Sequence, residues 1–155
     1  MIFLIFHNIA ASVQATKIYD SFSLDIPNKH KETFSDILVD DIDRVGAIMK
    51  YNNGKTAVLN FASYKNPSGM FLKGSKAQEE CLCHESFLYN VLKEFQKDYY
   101  DRNKEHLNKA LYTNRALFSE NVVFFRNNKQ VKCDVYSGRE SKLVKIDRGE
   151  ILWQN

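Results

Sequence analysis

Proline is almost missing from this chain: two residues in 155, beside six glycines and one tryptophan. So few backbone breakers, set against eleven Phe and eight Tyr, exclude a disordered, low-complexity or collagen-like protein. Cysteine is scarce as well. Three residues (Cys81, Cys83 and Cys133) leave an odd one in any pairing scheme, which excludes a closed disulfide framework and suits a reducing compartment. The cytoplasm is therefore the expected location. Long apolar runs are lacking, and none approaches the ~18–20 residues of a membrane helix. Neither sign of charge dominates, with 22 basic against 19 acidic side chains and a net +3, which does not announce a nucleic-acid binder.

What is present fits one soluble-type domain over residues 1–155. Apolar residues make up 44% and charged residues 26%, and no repeat or linker divides the chain. The apolar start, Met1-Ile2-Phe3-Leu4-Ile5-Phe6, is followed by a faint cleavage-like stretch at residues 12–15. No Lys or Arg precedes it, and His7 and Asn8 interrupt it, so it reads as a buried strand or helix start and not as a signal peptide.

Along the chain, residues 9–19 suggest a short helix, 20–36 a loop containing Pro27, and Ile37-Leu38-Val39 a short strand. Asp40 or Asp41 caps a predicted helix running to about Lys50, with Val45, Ile48 and Met49 facing inward and Gly54 beyond its end. Residues 56–62 form the clearest strand, apolar enough to be covered on both faces. From Gln78 a long helix is expected, because Leu88, Leu92, Phe95 and Tyr99 fall on one helical face. Residues 122–125 and 130–135 flank Arg126-Asn127-Asn128-Lys129 as a β-hairpin, and 143–146 and 151–153 suggest further short strands. Early alternation of helices and strands gives an α/β or α+β class with a mixed sheet.

The informative stretch runs from Val58 to Glu80: a strand, a loop holding Gly69 and Gly74, then a helix opening on Gln78-Glu79-Glu80. Ligands in open α/β sheets bind beyond the carboxyl ends of strands, and glycines permit close backbone approach. A phosphate or sugar site is one reading of this arrangement. Acidic residues that complement the helix N-terminus are the plainer one.

The residues Asn60-Phe61-Ala62-Ser63, Asn66-Pro67, Gly69, Phe71-Leu72 and Gly74 through Glu80, followed by Leu82, Glu85-Ser86 and Leu88-Tyr89, resemble the bacterial-type poly(ADP-ribose) glycohydrolases of the macrodomain superfamily. The signature of that family is a triple-glycine loop followed by Gln-Glu-Glu. Thr16 through Tyr19 and Val122 through Arg126 are looser support. The resemblance implies an α/β, macrodomain-like mixed sheet with flanking helices, with a glycohydrolase-like region at 9–133 and a divergent tail at 134–155. It implies cleavage of the ribose–ribose O-glycosidic bond of poly(ADP-ribose). Carried over by position, the resemblance makes Glu80 the expected catalytic acid, protonating the leaving oxygen and then activating water, work that requires a raised pKa. The resemblance implies that Glu79 holds ribose hydroxyls, with a charge beside Glu80 that would favour a proton there. By the same resemblance Asn66 is expected to bond the distal ribose, and Gly69, Phe71 and Gln78 to complete the substrate-binding set, Gln78 chiefly by supporting loop and helix. No metal or organic cofactor is implied. The partner is ADP-ribose, its polymer or an ADP-ribosylated protein, with no membrane and no nucleic acid.

Two departures from the family pattern carry expectations of their own. Ser68-Gly69-Met70 stands where the family has three glycines, so side chains at 68 and 70 remove backbone freedom and fill ligand space, which predicts reduced or lost activity. After about Cys133 no Ala-Pro-Asn type loop follows, and the chain resembles an N-terminal, truncated part of the fold. A non-catalytic ADP-ribose-binding or interaction remnant is the alternative.

Other candidates have plainer readings. Cys81 and Cys83 point some 200° apart on a helix and do not share an ion readily. His7, His30, His84 and His106 have no partner pattern, and Cys133 lacks a nucleophile motif. Residues 126–148 carry seven basic against three acidic side chains, for which a polyanion contact is one reading and a charged hairpin surface the cheaper one. Tyr99 and Tyr100 read as core.

Overall fold

A computed structural model describes residues 2–20, 37–105, 115–138, 144–147 and 150–153. The predicted loop around Pro27, together with His30, His106, Lys142 and Leu143, lies outside these residues. Helix α1 (Ile2–Ala15) leads into the short strand β1 (Lys17–Tyr19). Then come α2 (Arg44–Tyr51), β2 (Ala57–Phe61), a 3-10 turn (Phe71–Lys73), α3 (Gln78–His84) and α4 (Leu88–Leu92). A 3-10 turn (Lys93–Phe95), a π-helix (Gln96–Asp101) and α5 (Arg102–Glu105) precede β3 (Ala116–Arg126) and β4 (Lys129–Gly138). Strands β5 (Val144–Asp147) and β6 (Glu150–Trp153) pair antiparallel in a sheet of their own.

The main sheet has the order β1-β3-β4-β2. β1 and β4 run antiparallel to β3, and β2 runs parallel to β4, so the sheet is mixed. Alternate strand residues point to opposite faces. Val58, Leu117, Val122, Phe124, Cys133 and Val135 pack into a large cluster with Val45, Ile48, Leu82, Leu88, Leu92, Tyr99 and Tyr100. Ala57, Leu59, Ala116, Phe118 and Tyr136 face a smaller cluster on the other side. β2 is thus packed on both faces although it stands at a sheet edge. In β3 the inward parity changes from Leu117 to Val122 because a bulge intervenes. Asn121 adopts φ 57° there and donates its N–H to Asp134 Oδ1 at 2.8 Å.

Several expectations need correction. The apolar start is helical but not buried: Phe3, Leu4 and Phe6 are 88%, 61% and 67% exposed. The inward position of α1 is Ser12, whose hydroxyl donates to the Glu120 carbonyl at 2.7 Å. The helix expected over 9–19 ends at Ala15, and the chain turns into β1. Ile37-Leu38-Val39 is exposed and forms no strand, for among the described residues no strand pairs with it. The N-cap of α2 is Asp43, accepting from the Gly46 N–H at 2.9 Å, and not Asp40 or Asp41. The long helix after Gln78 is broken at Glu85 and Ser86. The Ser86 hydroxyl donates to the Leu82 carbonyl at 2.7 Å and accepts from the Leu88 N–H at 3.1 Å. This local alternative ends one helix and starts the next, while the Ser86 backbone bridges to Phe124.

Candidate active site

The site is built where β2 ends. Its last residues lead into the loop 62–70, and α3 returns beside the strand so that its first turn faces that loop. Gln78 fixes the two elements together. Its amide nitrogen donates to the Leu59 carbonyl at 2.7 Å, and its amide oxygen accepts from the Phe61 N–H at 2.8 Å. The side chain occupies the edge of β2 as a neighbouring strand would.

Glu79 and Glu80 are 3% and 5% exposed. Glu79 is held by the protein on both oxygens: Oε1 accepts from Asn60 Nδ2 at 3.2 Å, and Oε2 accepts from the Ser63 N–H at 2.8 Å. The Ser68 N–H also donates to it. Burial pushes the Glu79 carboxyl up to about 7. The Ser63 and Asn60 donors oppose that rise, and the Glu80 charge adds to it. Glu80 Oε1 accepts from the Met70 N–H at 2.9 Å. Asn60, fully buried, also donates to the Ser137 hydroxyl at 3.0 Å and so links β2, β4 and α3.

The loop lies directly on the two carboxylates. Gly69 has φ 58°, and a Cβ there would stand 2.6 Å from Glu80 Oε1 and 3.2 Å from Glu79 Oε2. No other residue fits that approach. Ser68, at φ 61°, is fully buried, with its hydroxyl set toward the Cys83 thiol, which burial pushes up to about 12. Met70 adopts φ −109° and is 52% exposed. The expected crowding by side chains at 68 and 70 therefore divides: Ser68 fills space beneath the loop, and Met70 projects outward. Asn66 is exposed, and its carbonyl accepts from the Gly69 N–H at 3.0 Å to form the turn. Phe71 turns its ring onto His84 and Tyr89, with centroids 5.0 and 5.3 Å away.

Elsewhere, Cys81 is exposed and Cys83 buried, on opposite sides of α3, and all three cysteines are free. The Cys133 thiol donates to the Thr56 carbonyl at 3.3 Å within the core. Among the described residues no cluster of three or more His, Cys, Asp or Glu is placed to hold a metal, and no helix is long and apolar enough to cross a membrane. Asn60 and Ser137 were missed as site residues by sequence reading. Asn60 stood inside the motif, but Ser137 has no local signal and reaches the site only through the parallel pairing of β2 with β4.

A mixed sheet with flanking helices, a glycine loop at a strand's carboxyl end and paired carboxylates beneath it define a macrodomain-like α/β domain. Residues 3–127 match the family described as microbial-type PARG, catalytic domain, and the chain belongs to that family. A poly(ADP-ribose) glycohydrolase from Deinococcus radiodurans, solved in complex with ADP-ribose, superposes with a TM-score of 0.68 at 27% identity, over 84% of this chain and 56% of that one. A poly(ADP-ribose) glycohydrolase from Thermomonospora curvata, solved with the inhibitor ADP-HPD, gives a TM-score of 0.68 at 22% identity, over 86% and 51%. The chain spans about half the length of these solved relatives. No curated protein matches it.

Proposed function

We propose that this chain recognises an ADP-ribose unit of poly(ADP-ribose), or of an ADP-ribosylated protein, at the loop 62–70, and that Glu80 hydrolyses the ribose–ribose O-glycosidic bond. Glu80 protonates the departing ribose oxygen as oxocarbenium character develops on the other ribose, then takes a proton from the attacking water. Glu79, with a carboxyl that titrates at about 7, is able both to donate to and accept from ribose hydroxyls. Asn66 offers its exposed side chain to the distal ribose, and Gly69 keeps the loop backbone against the carboxylates. Gln78 and Phe71 hold the loop and helix in register. Three free thiols suit a cytoplasmic setting.

The observation that carries the reading is the approach of Gly69 to both carboxylates, 2.6 and 3.2 Å from where its Cβ would be. A helix that merely caps itself with acidic residues has no need of a left-handed glycine pressed upon them. The second reading, an ADP-ribose-binding remnant without catalysis, rests on the two side chains, Ser68 and Met70, that flank Gly69 in the loop. Calorimetric titration with ADP-ribose and a release assay on poly(ADP-ribose), each with Glu80→Gln, separate the two. Binding with release that Glu80→Gln abolishes supports hydrolysis. Binding without release supports the remnant, and absence of both overturns the two readings together.

A further inference from the structure

The substrate loop has a second anchor besides Glu79 and Glu80. Asn103, in α5, is fully buried and donates from Nδ2 to the Tyr64 carbonyl at 3.0 Å, across 39 positions of sequence. Tyr64 follows Ser63, whose N–H is held by Glu79, and precedes Asn66 by two residues. The loop is therefore held at two adjacent residues, by a carboxylate at Ser63 and by a carboxamide at Tyr64.

The orientation of that carboxamide is decided by Arg115. Its Nη1 donates to Asn103 Oδ1 at 2.9 Å, and a guanidinium has only donors. Oδ1 must therefore face Arg115, which leaves Nδ2 for Tyr64. Arg115 is itself held on several sides. Nη1 also donates to the Tyr99 carbonyl at 3.2 Å, Nη2 donates to the Asp98 carbonyl at 3.0 Å, and Nε bonds Asp20. The guanidinium lies 5.1 Å from the centroid of the Tyr99 ring, and the Tyr99 hydroxyl donates to the Arg115 carbonyl at 3.1 Å. Asp98 and Tyr99 belong to the π-helix, a rare geometry that recurs near functional sites.

We propose that Asn103 is a positioning residue for the ligand loop, oriented by Arg115, and that it sets where Asn66 and Gly69 stand relative to bound ADP-ribose. This rests on the reading of the loop as the ADP-ribose site. Neither Asn103 nor Arg115 touches the ligand; they act through the Tyr64 carbonyl.

Asn103→Asp is the informative variant. Its carboxylate keeps Arg115 as a partner but turns an acceptor toward the Tyr64 carbonyl, so the clamp opens while the arginine knot remains. Asn103→Ser, too short to reach Tyr64 and uncharged, serves should the buried carboxylate prevent folding. Amide hydrogen exchange is followed over residues 62–70 and over β3 and β4, beside calorimetry with ADP-ribose. The expected result is faster exchange confined to the loop, unchanged protection in the sheet, and ADP-ribose affinity weakened about tenfold, the worth of one such hydrogen bond. Exchange that is unchanged in the loop, or raised equally throughout the sheet, overturns the proposal. Loop exchange that rises while affinity stays at the wild-type value overturns it as well. Wild-type protein that binds no ADP-ribose defeats the reading of the site, and the exchange measurement then decides the Asn103 clamp on its own.

Discussion

Ser68 and Gly69 stand side by side in the left-handed region, at φ 61° and 58°, yet a side chain at each meets different surroundings. At Gly69 a methyl group would press on Glu80 Oε1 at 2.6 Å. Gly69→Ala should displace the loop from both carboxylates and abolish ADP-ribose binding, as read by calorimetry. At Ser68 the strain of ~1–2 kcal/mol for a non-glycine left-handed residue exceeds the ~0.4–1 kcal/mol of unfolded-chain entropy that a glycine adds. Ser68→Gly should therefore stabilise the fold modestly in urea unfolding, and loss of stability would mean that the buried hydroxyl beside Cys83 matters more than the backbone. Glu79 gives a pH dependence opposite to that of an ordinary salt-bridged carboxylate. Its carboxyl titrates at about 7 in the fold against an ordinary 4.5. Between these values the native state binds more protons than the unfolded chain, so this contribution to stability is present below 4.5 and lost as pH rises through 7. Urea midpoints for Glu79→Gln should gain on the wild type from pH ~4.5 to about pH 8, and a constant difference would defeat the assignment.

At the scale of elements, Gln78 joins a helix to the outer strand of the sheet. Gln78→Glu keeps an acceptor for the Phe61 N–H but sets an oxygen against the Leu59 carbonyl, which loses its donor. The expected cost is ~1–3 kcal/mol, with faster amide exchange at the end of β2, whereas an unchanged Tm would show that solvent replaces the bond without penalty. The elements legible in the sequence were those with a local cause. The hairpin was one, because Asn127 and Asn128 take the left-handed φ of 50° and 61° that a tight turn requires and alternation flanks them. The strand over 57–61 was another, from its apolar run. What escaped depends on partners distant in sequence. The six residues by which β3 begins before Val122 include polar Ser119, Glu120 and Asn121, placed by a bulge against β4. The break at Ser86 depends on a bridge to Phe124. In the site, Glu79, Glu80 and Gly69 were marked by the resemblance, spacing alone reading as plain helix capping, while the links of Asn60 to Ser137 and of Asn103 to Tyr64 emerge only when β2 pairs with β4 and α5 reaches the loop.

Across the whole molecule, three pieces that sequence separates widely meet at Arg126. Its guanidinium forks onto Asp43, with Nη1 and Nη2 donating to Oδ2 and Oδ1 at 2.8 and 2.9 Å, and reaches Glu85 through Nε at 2.5 Å and Nη2. Asp43 caps α2, Glu85 ends α3, and Arg126 closes β3, so one side chain ties two helices to the sheet's central hairpin. The arginine holds the Asp43 carboxyl down at about 2, aided by the Gly46 N–H. That carboxylate's contribution is therefore full above 3.8 and lost only as pH falls toward 2. The Arg126 side chain is 27% exposed, between a surface pair, worth little, and a buried one, whose breaking costs several kcal/mol. Arg126→Met keeps the apolar stem and leaves two carboxylates facing one another without a cation. The expected loss is about 1–2 kcal/mol in urea at low salt, shrinking in ~1 M sodium chloride as the repulsion is screened. A loss that salt does not reduce would assign the tie to packing of the arginine stem, and the helices would then be held to the hairpin by apolar contact alone.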